Sequence, residues 1–411
     1  MGEAVAIRDV VCPFCALGCD DLALAADGPA LRLVGPECAV AARGFARPVP
    51  AAAPTVAGAP ATVEAAIARA AELLAAARLP LFAGLGTDTA GMRAVLALAE
   101  RCGGIVDHAG ARGLLANLRA VQDGGNVTTT LAEVRNRADL ILLVATDGVT
   151  TAPRLLERCV APTTTLFGPL GRQLVHLGPP PGPPGTACLP CGPDGLGAAL
   201  LARRALATGG RVPAARAGGA AVTELATLAE RLRAARYPVI VWAARELPGA
   251  HPDLVTDTLA GLIRALNGKG RCVGLPLAGP DNVVGANQVC GWQTGVPLRT
   301  SFATGAPDHD PVRWQTGAAL AAADLLVWIA SLGDLPLPAT DRPIIALVRP
   351  DLPLPREVAV ALPIGTPGLD HAGSVYRLDG VVALPLRALR DRGLPPVAEM
   401  LSRIHARLEA R

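Results

Sequence analysis

LPLFAGLG, residues 79–86, is a continuous apolar run that ends in a glycine turn, and it predicts a buried strand. ATVEAAIARAAELLAAAR (61–78) precedes it and GMRAVLALAERCG (91–103) follows it, and both have the apolar spacing of an amphipathic helix. GGIVDHAG (103–110) and ADLILLVATD (138–147) repeat the apolar strand pattern. Apolar strands that alternate with amphipathic helices are typical of a parallel sheet covered on both faces. This part of the chain is therefore predicted to be α/β.

A proline-rich stretch, HLGPPPGPPGTACLPCGPDG (176–195), interrupts this order, and the α/β pattern then returns. TELATLAERLRAARYPVIVWAA (223–244) and TDTLAGLIRALNGKGRCVGLP (256–276) each have the pattern of a helix followed by a strand. ADLLVWIASLG (323–333) and DRPIIALVRP (341–350) are further apolar strands. We therefore predict a second α/β unit.

The composition excludes several classes of protein. The chain has 411 residues, 51% of them hydrophobic and only 3% aromatic, which is typical of a globular core built mainly of Ala, Leu and Val. A net charge of +3 with dispersed arginines argues against binding to nucleic acid or to a membrane surface. The N-terminus, MGEAVAIRDVVCPFC, has no basic segment before an apolar one and no twin arginine. We therefore expect a cytoplasmic protein.

Three cysteines lie within VCPFCALGCDD, residues 11–21. Cys12, Cys15 and Cys19 have the spacing Cys-x2-Cys-x3-Cys, and Cys38 follows at a distance in GPECAVAARGF. Four thiolates in this arrangement are typical of a 4Fe-4S cluster. A structural zinc ion and an unfilled relic site are the alternatives. In a reducing compartment, cysteines are expected to be ligands or buried residues rather than disulfides.

The other cysteines and the histidines show no recognised metal-site pattern. Cys188-Leu-Pro-Cys191 is open to interpretation as a redox pair or half of a zinc site, or as an ordinary part of its Pro/Gly-rich loop. Four cysteines are expected to be buried structural residues: Cys102, Cys159, Cys272 and Cys290. The six histidines have neither His-x-His nor His-Glu-x-x-His spacing, which argues against a zinc hydrolase.

Four stretches together resemble the B subunits of formylmethanofuran dehydrogenases and, more closely, the B subunits of formyltransferase/hydrolase complexes of methylotrophic bacteria. They are CPFCALGCDDL (12–22) with Cys38, TLAEVRNRADLILLVATDGVTTAPRLLER (130–158), DNVVGANQVCGWQTGVP (281–297) and IGTPGLDHAGSVYRLDGVVALPLRALR (364–390). These stretches are spread over nearly the whole chain, in the order found in the family. The resemblance implies the fold of the molybdopterin oxidoreductase superfamily.

The resemblance also implies a domain organisation. We expect a small N-terminal iron-sulfur-type cysteine module over residues 1–50, followed by two doubly wound α/β domains. The first α/β domain is expected to begin with residues 51–115, and the second is expected over 116–219. The chain is then expected to return to the first domain and a C-terminal region over 220–411. RPVPAAAPTVAGAPA (47–61) is expected to be the linker after the module.

In redox-active relatives, the cysteine loop binds a 4Fe-4S cluster, and two α/β domains hold a tungsten or molybdenum bis-pterin cofactor. A cysteine or selenocysteine followed by His-Gly-Pro ligates the metal. The corresponding place here reads ARGLLANLRAVQDGG, with Gly113 or a neighbour at the ligand position, and no cysteine lies between Cys102 and Cys159. Glycine offers a metal no side-chain atom. We therefore expect no tungsten or molybdenum pterin.

The resemblance then implies a non-redox scaffold subunit of a formyltransferase/hydrolase complex. Such a complex converts formyl-tetrahydromethanopterin to formate through a formyl-furan carrier in one-carbon (formaldehyde) oxidation, and the partners are its other subunits. The alternatives are an active B subunit of a tungsten or molybdenum formylmethanofuran dehydrogenase and a free-standing iron-sulfur electron carrier. A residual cofactor pocket is a candidate role for four residues, and a structural role is the favoured interpretation of the last of them: Asp281, Asn282, Asn287 and His371.

Overall fold

Helices and strands alternate along most of the chain, as the apolar patterns predict. The structure is a computed structural model, and it describes residues 6–27, 30–48, 50–179, 182–249, 251–268 and 270–410. The chain divides into two compact units. Unit 1 comprises Met1–Ala111 and Pro280–Arg411, and unit 2 comprises Arg112–Gly279.

Among the described residues, the strands belong to six sheets. In chain order they are β1 (Ala6–Val10), β2 (Leu22–Asp27), β3 (Ala30–Gly35), β4 (Thr55–Val56), β5 (Ala59–Pro60), β6 (Pro80–Gly86), β7 (Ile105–Val106), β8 (Leu140–Val144), β9 (Thr164–Thr165), β10 (Gly168–Pro169), β11 (Gln173–Gly178), β12 (Ala187–Pro190), β13 (Arg216–Ala217), β14 (Ala220–Ala221), β15 (Pro238–Trp242), β16 (Val273–Pro276), β17 (Thr300–Ser301), β18 (Asp308–His309), β19 (Leu325–Ala330), β20 (Ile344–Val348), β21 (Val360–Pro363), β22 (Gly373–Tyr376) and β23 (Ala383–Leu386).

The α-helices lie mostly between these strands. They are α1 (Ala39–Phe45), α2 (Val63–Ala76), α3 (Thr89–Cys102), α4 (Ala111–Gly124), α5 (Leu131–Arg137), α6 (Leu196–Ala207), α7 (Val222–Ala234), α8 (Pro252–Leu266), α9 (Val283–Thr294), α10 (Thr316–Ala322) and α11 (Val397–Glu409). A π-helical turn spans Leu156–Val160 and a 3-10 turn spans Pro193–Gly195. None of the helices in the described part of the chain has the length and apolarity needed to cross a bilayer.

Local sequence determines where several of these helices begin and end. The side chain of Thr62 accepts a hydrogen bond from Ala65 N (3.1 Å) at the start of α2. Asp88 does the same for Gly91 N (2.9 Å) at the start of α3. Gly103 ends α3 with a φ of 63°, a conformation that costs glycine little. These capping interactions satisfy backbone groups that a helix end leaves without partners.

The main sheet of unit 1 has the strand order β18-β17-β7-β6-β19-β20-β21-β4-β5. Its central strands, from β7 to β21, run parallel. The chain adds β7 on one side of β6 and later adds β19, β20 and β21 on the other, so the winding reverses between β6 and β19. In open α/β sheets, ligands bind at the carboxyl ends of the strands at such a reversal.

The core of unit 1 forms on the apolar strands. Leu81 and Ala83 of β6 pack with Leu326 and Trp328 of β19 in one buried cluster. Burying a large apolar side chain of this kind stabilises the fold by about 1.5–3 kcal/mol. Helix α11 packs on both α2 and α3, so the C-terminal helix covers elements from early in the chain.

Unit 2 contains a five-stranded parallel sheet of order β12-β11-β8-β15-β16. The chain starts at the central strand β8, builds outward through β11 and β12, and then returns to the other side for β15 and β16. Its core includes Leu142 and Val144 of β8 with Trp242 of β15. The winding therefore reverses between β8 and β15, and the two sheets confirm the α/β prediction.

The return to unit 1 lies later than expected. Strands β15 and β16 pair in parallel with the sheet of unit 2, which places the boundary at Gly279 rather than after residue 219. The helix-strand patterns around residue 220 are alike on both sides, and only strand pairing distinguishes them. The expected linker (47–61) also contains a hairpin, β4–β5, which forms the edge of the main sheet of unit 1; Val49 lies outside the described residues.

The cysteine segment is not a compact unit of its own, because it clusters with the rest of unit 1. It contains the antiparallel sheet β1-β2-β3 and helix α1. The Phe14 ring packs edge-on against Phe45 of α1, with 5.0 Å between ring centroids. A Cβ atom on Gly44 would lie 2.3 Å from the Phe14 ring, so only glycine admits this contact. Leu378 N donates a hydrogen bond to Ala16 O (2.7 Å), which joins the loop to the C-terminal region.

Candidate functional site

The reversal point of unit 1 lies where β6 and β19 end. Gly86 and Ala330 are paired residues at the carboxyl ends of these strands. Just beyond them, Ser331 donates two hydrogen bonds to Gly86 O, from its N–H (2.7 Å) and its hydroxyl (2.8 Å). These contacts hold the two strand ends together, and the chain leaves them in opposite directions.

Asp281 lies beside these two strand ends, in the space that we call the crevice of unit 1. A Cβ atom built on Gly333 would lie 2.2 Å from Asp281 Oδ1, and one built on Gly86 would lie 3.5 Å from the same side chain. Glycine is therefore required at 333 because the carboxylate fills the space. Burial raises the pKa of Asp281, although the Gly333 N–H and the nearby Arg47 and Arg349 partly offset this rise. Oδ1 is buried and receives no hydrogen bond from any described residue.

The other residues of the expected pocket have structural contacts. Asn282 donates from Nδ2 to Thr87 O (3.0 Å) and accepts from Tyr376 N at Oδ1 (2.8 Å). Asn287 Oδ1 accepts from Leu298 N (3.1 Å). Asp281 and Asn282 thus lie together at the sheet edge, whereas Asn287 holds the loop that follows α9.

His371 lies in the loop before β22. Its Nδ1 is 2.8 Å from Ala372 O, and its Nε2 is buried without a hydrogen-bond partner among the described residues. A hydrogen-bonding group left unsatisfied inside a protein is costly, so Nε2 marks a position where a further polar atom would be stabilising.

His108, which the sequence did not single out, is buried beside Asp281. Gly110 N–H donates to His108 Nδ1 (2.8 Å), so the ring proton lies on Nε2, which donates to Asp281 O (2.9 Å). Burial lowers the pKa of His108, and the bond to Asp281 O only partly opposes this. A neutral histidine therefore holds the Asp281 backbone, whose φ of 61° is unusual for a residue other than glycine.

Two arginines clamp the loop that follows β19. Arg349 donates to Asp351 Oδ1 (3.0 Å), Asp334 Oδ1 (2.7 Å) and Leu332 O (3.1 Å). Arg47 donates to Asp334 Oδ1 (3.4 Å) and to Leu332 O. These guanidinium groups are engaged within the chain, so they act as clamps on the crevice wall and are not free anion-binding groups.

The pKa values of the two arginines are shifted from their ordinary value in opposite directions. Burial, and then repulsion by Arg349, lowers the pKa of Arg47 to about 10. Burial alone would lower the pKa of Arg349, but its bonds to Asp351 and Asp334 outweigh that effect and raise it. Sequence reasoning missed Arg349, although its position directly after the apolar strand β20 was a usable signal.

The reversal point of unit 2 also holds a carboxylate. Glu246 follows β15, and it accepts hydrogen bonds from the hydroxyl groups of Thr146 (2.6 Å) and Thr151, which follow β8. Arg245 Nη2 donates to Thr151 Oγ1 (3.1 Å). Sequence reasoning missed this cluster, although ATDGVTT (145–151) directly follows a predicted strand. A ligand at this edge would compete with the internal hydrogen bonds.

Gly113, at the expected position of the missing metal ligand, lies in the first turn of α4. A Cβ atom there would lie 3.1 Å from Arg245 N and 3.3 Å from Arg245 Cβ. The space that a cysteine side chain would need is therefore tightly bounded by the chain. The residues present do not fit a thiolate-ligated tungsten or molybdenum centre, because no thiol is offered at this position.

The four N-terminal cysteines lie near one another. Cys12 N donates to Cys19 O (2.8 Å), which closes the loop. Burial raises the pKa of Cys12, and the neighbouring thiols of Cys15, Cys19 and Cys38 raise it further. Even so, among the described residues no three His, Cys, Asp or Glu side chains are arranged to hold a metal ion. The cysteine side chains are thus close to one another but are not arranged as a set of metal ligands. The 4Fe-4S cluster remains a prediction.

None of the remaining cysteines forms a disulfide. Cys159, Cys272 and Cys290 are buried as expected, whereas Cys102 is only half-buried because it ends α3. Cys191 is buried and Cys188 is exposed, with its Sγ 3.4 Å from Thr186 O. GLGTDTAG (84–91) spans the end of β6, the turn at residues 87–88 and the start of α3, and its Asp88 caps that helix.

No model of a protein family matches the chain. It is 36% identical over 338 residues to the B subunit of the formyltransferase/hydrolase complex (Fhc) of Methylorubrum extorquens, covering 80% of this chain and 89% of that protein. It is 26% identical over 423 residues to the B subunit of the tungsten-containing formylmethanofuran dehydrogenase 2 of Methanocaldococcus jannaschii, covering 96% of this chain and 97% of that protein.

Two solved structures are similar to the chain in fold. A chain of the formyltransferase/hydrolase complex (FhcABCD) from Methylorubrum extorquens, solved with methylofuran, matches with a TM-score of 0.76 and 32% identity, covering 87% of this chain and 99% of that chain. Acetylene hydratase from Pelobacter acetylenicus matches with a TM-score of 0.58 and 12% identity, covering 98% of this chain and 69% of that chain. The second likeness concerns the fold alone.

Proposed function

The chain belongs to the family of formyltransferase/hydrolase complex B subunits, and we propose that it is the non-redox scaffold subunit of such a hetero-oligomer. The complex converts formyl-tetrahydromethanopterin to formate through a formyl-furan carrier in one-carbon (formaldehyde) oxidation. Transfer and hydrolysis of the formyl group take place on partner subunits. The present chain contributes binding surface and a rigid α/β body.

The observation that carries this proposal is the 36% identity that extends over 89% of a B subunit from a formyltransferase/hydrolase complex. Similarity to the tungsten-containing dehydrogenase subunit is lower, at 26%. Gly113 supports the same choice, because it offers no thiolate and its surroundings leave little room for one. The proposal therefore assigns no redox step to this chain and no tungsten or molybdenum pterin to its crevices.

We propose the four cysteines as a candidate 4Fe-4S site. Their spacing supports this, as does the influence of the Cys15, Cys19 and Cys38 thiols on the pKa of Cys12. Zinc and an unfilled site remain the alternatives, and no step of the function passes through this site. We also propose a cytoplasmic location. It is supported by the ten cysteines, none of which forms a disulfide, as is usual in a reducing compartment.

The residual pocket is likewise a proposal. Asp281 and Asn282 lie at the reversal point, and two buried polar atoms there and nearby have no hydrogen-bond partner in the described chain: Asp281 Oδ1 and His371 Nε2. A bound polar molecule would satisfy such atoms. Binding would orient that molecule without catalysis, because the residues described around it include no nucleophile paired with a base.

The test is co-expression of the tagged chain with its partner subunits from the same genome. We expect a hetero-oligomer that releases formate from formyl-tetrahydromethanopterin and shows no formate-dependent dye reduction. Elemental analysis of that complex is the second readout. About one tungsten or molybdenum atom per chain, the content of a single bis-pterin site, would refute the scaffold role and favour the dehydrogenase alternative.

A further inference from the structure

The hairpin β9–β10 of unit 2 presents two large apolar side chains at its tip. Leu166 is 84% exposed and Phe167 is 76% exposed. Single exposed apolar residues are common on protein surfaces, but phenylalanine is enriched in protein interfaces, so an adjacent exposed Leu–Phe pair at a hairpin turn is a candidate anchor for a protein partner. We call this pair the Leu166–Phe167 tip.

The tip is held in one conformation by its own hydrogen bonds. Thr165 Oγ1 donates to Gly168 O (2.7 Å) and accepts from Phe167 N (3.0 Å). Leu166 N donates to Asn136 Oδ1 (3.0 Å), which fastens the turn to the end of α5. A pre-ordered anchor loses little conformational entropy when it docks. The exposure of the two side chains is therefore a fixed feature of the turn.

A cavity of about 250 Å³ opens beside the tip. Phe167 and Tyr237 form part of its wall, together with the side chains of Arg137 and Arg236. The Arg137 guanidinium lies 4.5 Å from the Tyr237 ring centroid. The described residues that line the cavity include two arginines and no carboxylate. Arg137 is already paired with Glu133 (3.2 Å between Nη1 and Oε1), so Arg236 is the lining residue that suits the cavity to an acidic side chain.

The base of the hairpin adds positive charge. Arg172 donates to Val160 O (3.1 Å) and to the carbonyl oxygens of Pro162 and Arg135. Arg135 in turn donates to Arg158 O (3.2 Å). These bonds are made to backbone carbonyls, which orient the guanidinium groups without neutralising their charge. The surface at the base of the Leu166–Phe167 tip is thus positively charged.

We propose that the Leu166–Phe167 tip docks into an apolar pocket bordered by acidic side chains on a partner subunit of the hetero-oligomer. This inference rests on the proposed function, which supplies the partner. Charge complementarity selects that occupant over a second copy of this chain. In a two-fold dimer through the tip, the same basic surfaces would face each other and repel.

The test uses the co-expressed complex and a double variant, Leu166→Ser with Phe167→Ser. We expect at least tenfold less of this chain in the assembled complex, as measured by native mass spectrometry. The matched control is Leu254→Ser, which removes a leucine that is 62% exposed elsewhere in unit 2 and should leave assembly unchanged. Because the altered side chains are largely exposed, the thermal midpoint of the isolated chain should stay within about 2 °C.

A second variant tests the charge argument independently of the tip. Arg236→Glu places a carboxylate at the cavity and should weaken assembly, with a smaller effect at high salt, where charges are screened. Assembly of the tip variant and Arg236→Glu at wild-type levels would overturn this inference while leaving the proposed function intact. If instead the wild-type chain joins no partner subunit, the proposed function itself fails. A wild-type homodimer that the tip variant abolishes, or binding to anionic vesicles through the tip, would also overturn the inference.

Discussion

Replacing Arg349 by methionine tests whether the crevice wall of unit 1 depends on a single guanidinium group. This side chain is 3% exposed and joins the loop after β19 to the loop after β20. Its partners are Leu332 O, Gly333 O, Asp334 and Asp351. Methionine preserves much of the side-chain length and removes all of these bonds. We expect the loop over residues 331–334 to open far more readily.

The magnitude follows from the separate contacts. The bonds to the backbone carbonyls of this loop are worth about 1 kcal/mol each, and the charged bond to Asp351 about 2 kcal/mol. The bond to Asp334 contributes little, because that carboxylate is 63% exposed and screened by solvent. The expected loss is therefore about 4 kcal/mol, within the range for removing one partner of a buried ion pair.

Hydrogen exchange of the assembled protein provides the assay. The amide N–H groups of Ser331 and Leu332 both donate to Gly86 O, at 2.7 and 3.2 Å, so they report on opening of this loop. A loss of about 4 kcal/mol should accelerate their exchange about a thousandfold, since 1.36 kcal/mol corresponds to a factor of ten. The matched control is Arg356→Met, which removes an exposed arginine whose Nη2 donates to Arg342 O (3.2 Å).

The control variant should change exchange by less than a factor of about three, as expected for a surface substitution. Arg349→Lys should recover part of the loss, because a lysine keeps the charge but not the planar fork that reaches several acceptors. Exchange at Ser331 and Leu332 that is no faster in Arg349→Met than in the control would refute the clamp.

Four further outcomes are expected. Burial lowers the pKa of His108, so on acidification this histidine is protonated in the unfolded state before it is protonated in the folded state. The stability that the neutral side chain contributes is therefore present above about pH 6.5 and is lost as the pH falls. His108→Gln should make the free energy of unfolding, measured by urea titration, depend less on pH in this range. Asp281→Asn should raise the free energy of unfolding at pH 7, because burial raises the pKa of that carboxyl; a less stable variant would contradict this cause. Gly113→Cys should lower the thermal midpoint through the 3.1 Å approach to Arg245 N and should not produce formate-dependent dye reduction. If a 4Fe-4S cluster is present, anaerobic protein should contain about four iron and four sulfide per chain, and Cys15→Ser should remove the brown colour; a colourless wild type with zinc or no metal would favour the alternatives.

The early part of the chain shows how far local pattern reaches. The strand over 79–86 and the helices on either side were predictable because an apolar run and a helical apolar repeat reflect which side chains must be buried. The family was predictable from motifs that follow one another in order over nearly the whole chain. The absence of a thiol at Gly113 was visible as well, because residue identity needs no coordinates.

Tertiary structure decided the features that depend on contacts between distant segments. β15 belongs to the sheet of unit 2 only because its backbone pairs with β8, and no local signal distinguishes that choice from a return at residue 220. Asp281 lies in the crevice because β6 and β19, which are far apart in sequence, end side by side. Its carboxylate fits there because the neighbouring residues Gly86 and Gly333 have no side chains. Local periodicity determines which residues are buried, whereas strand pairing and long-range packing determine what each one is buried against.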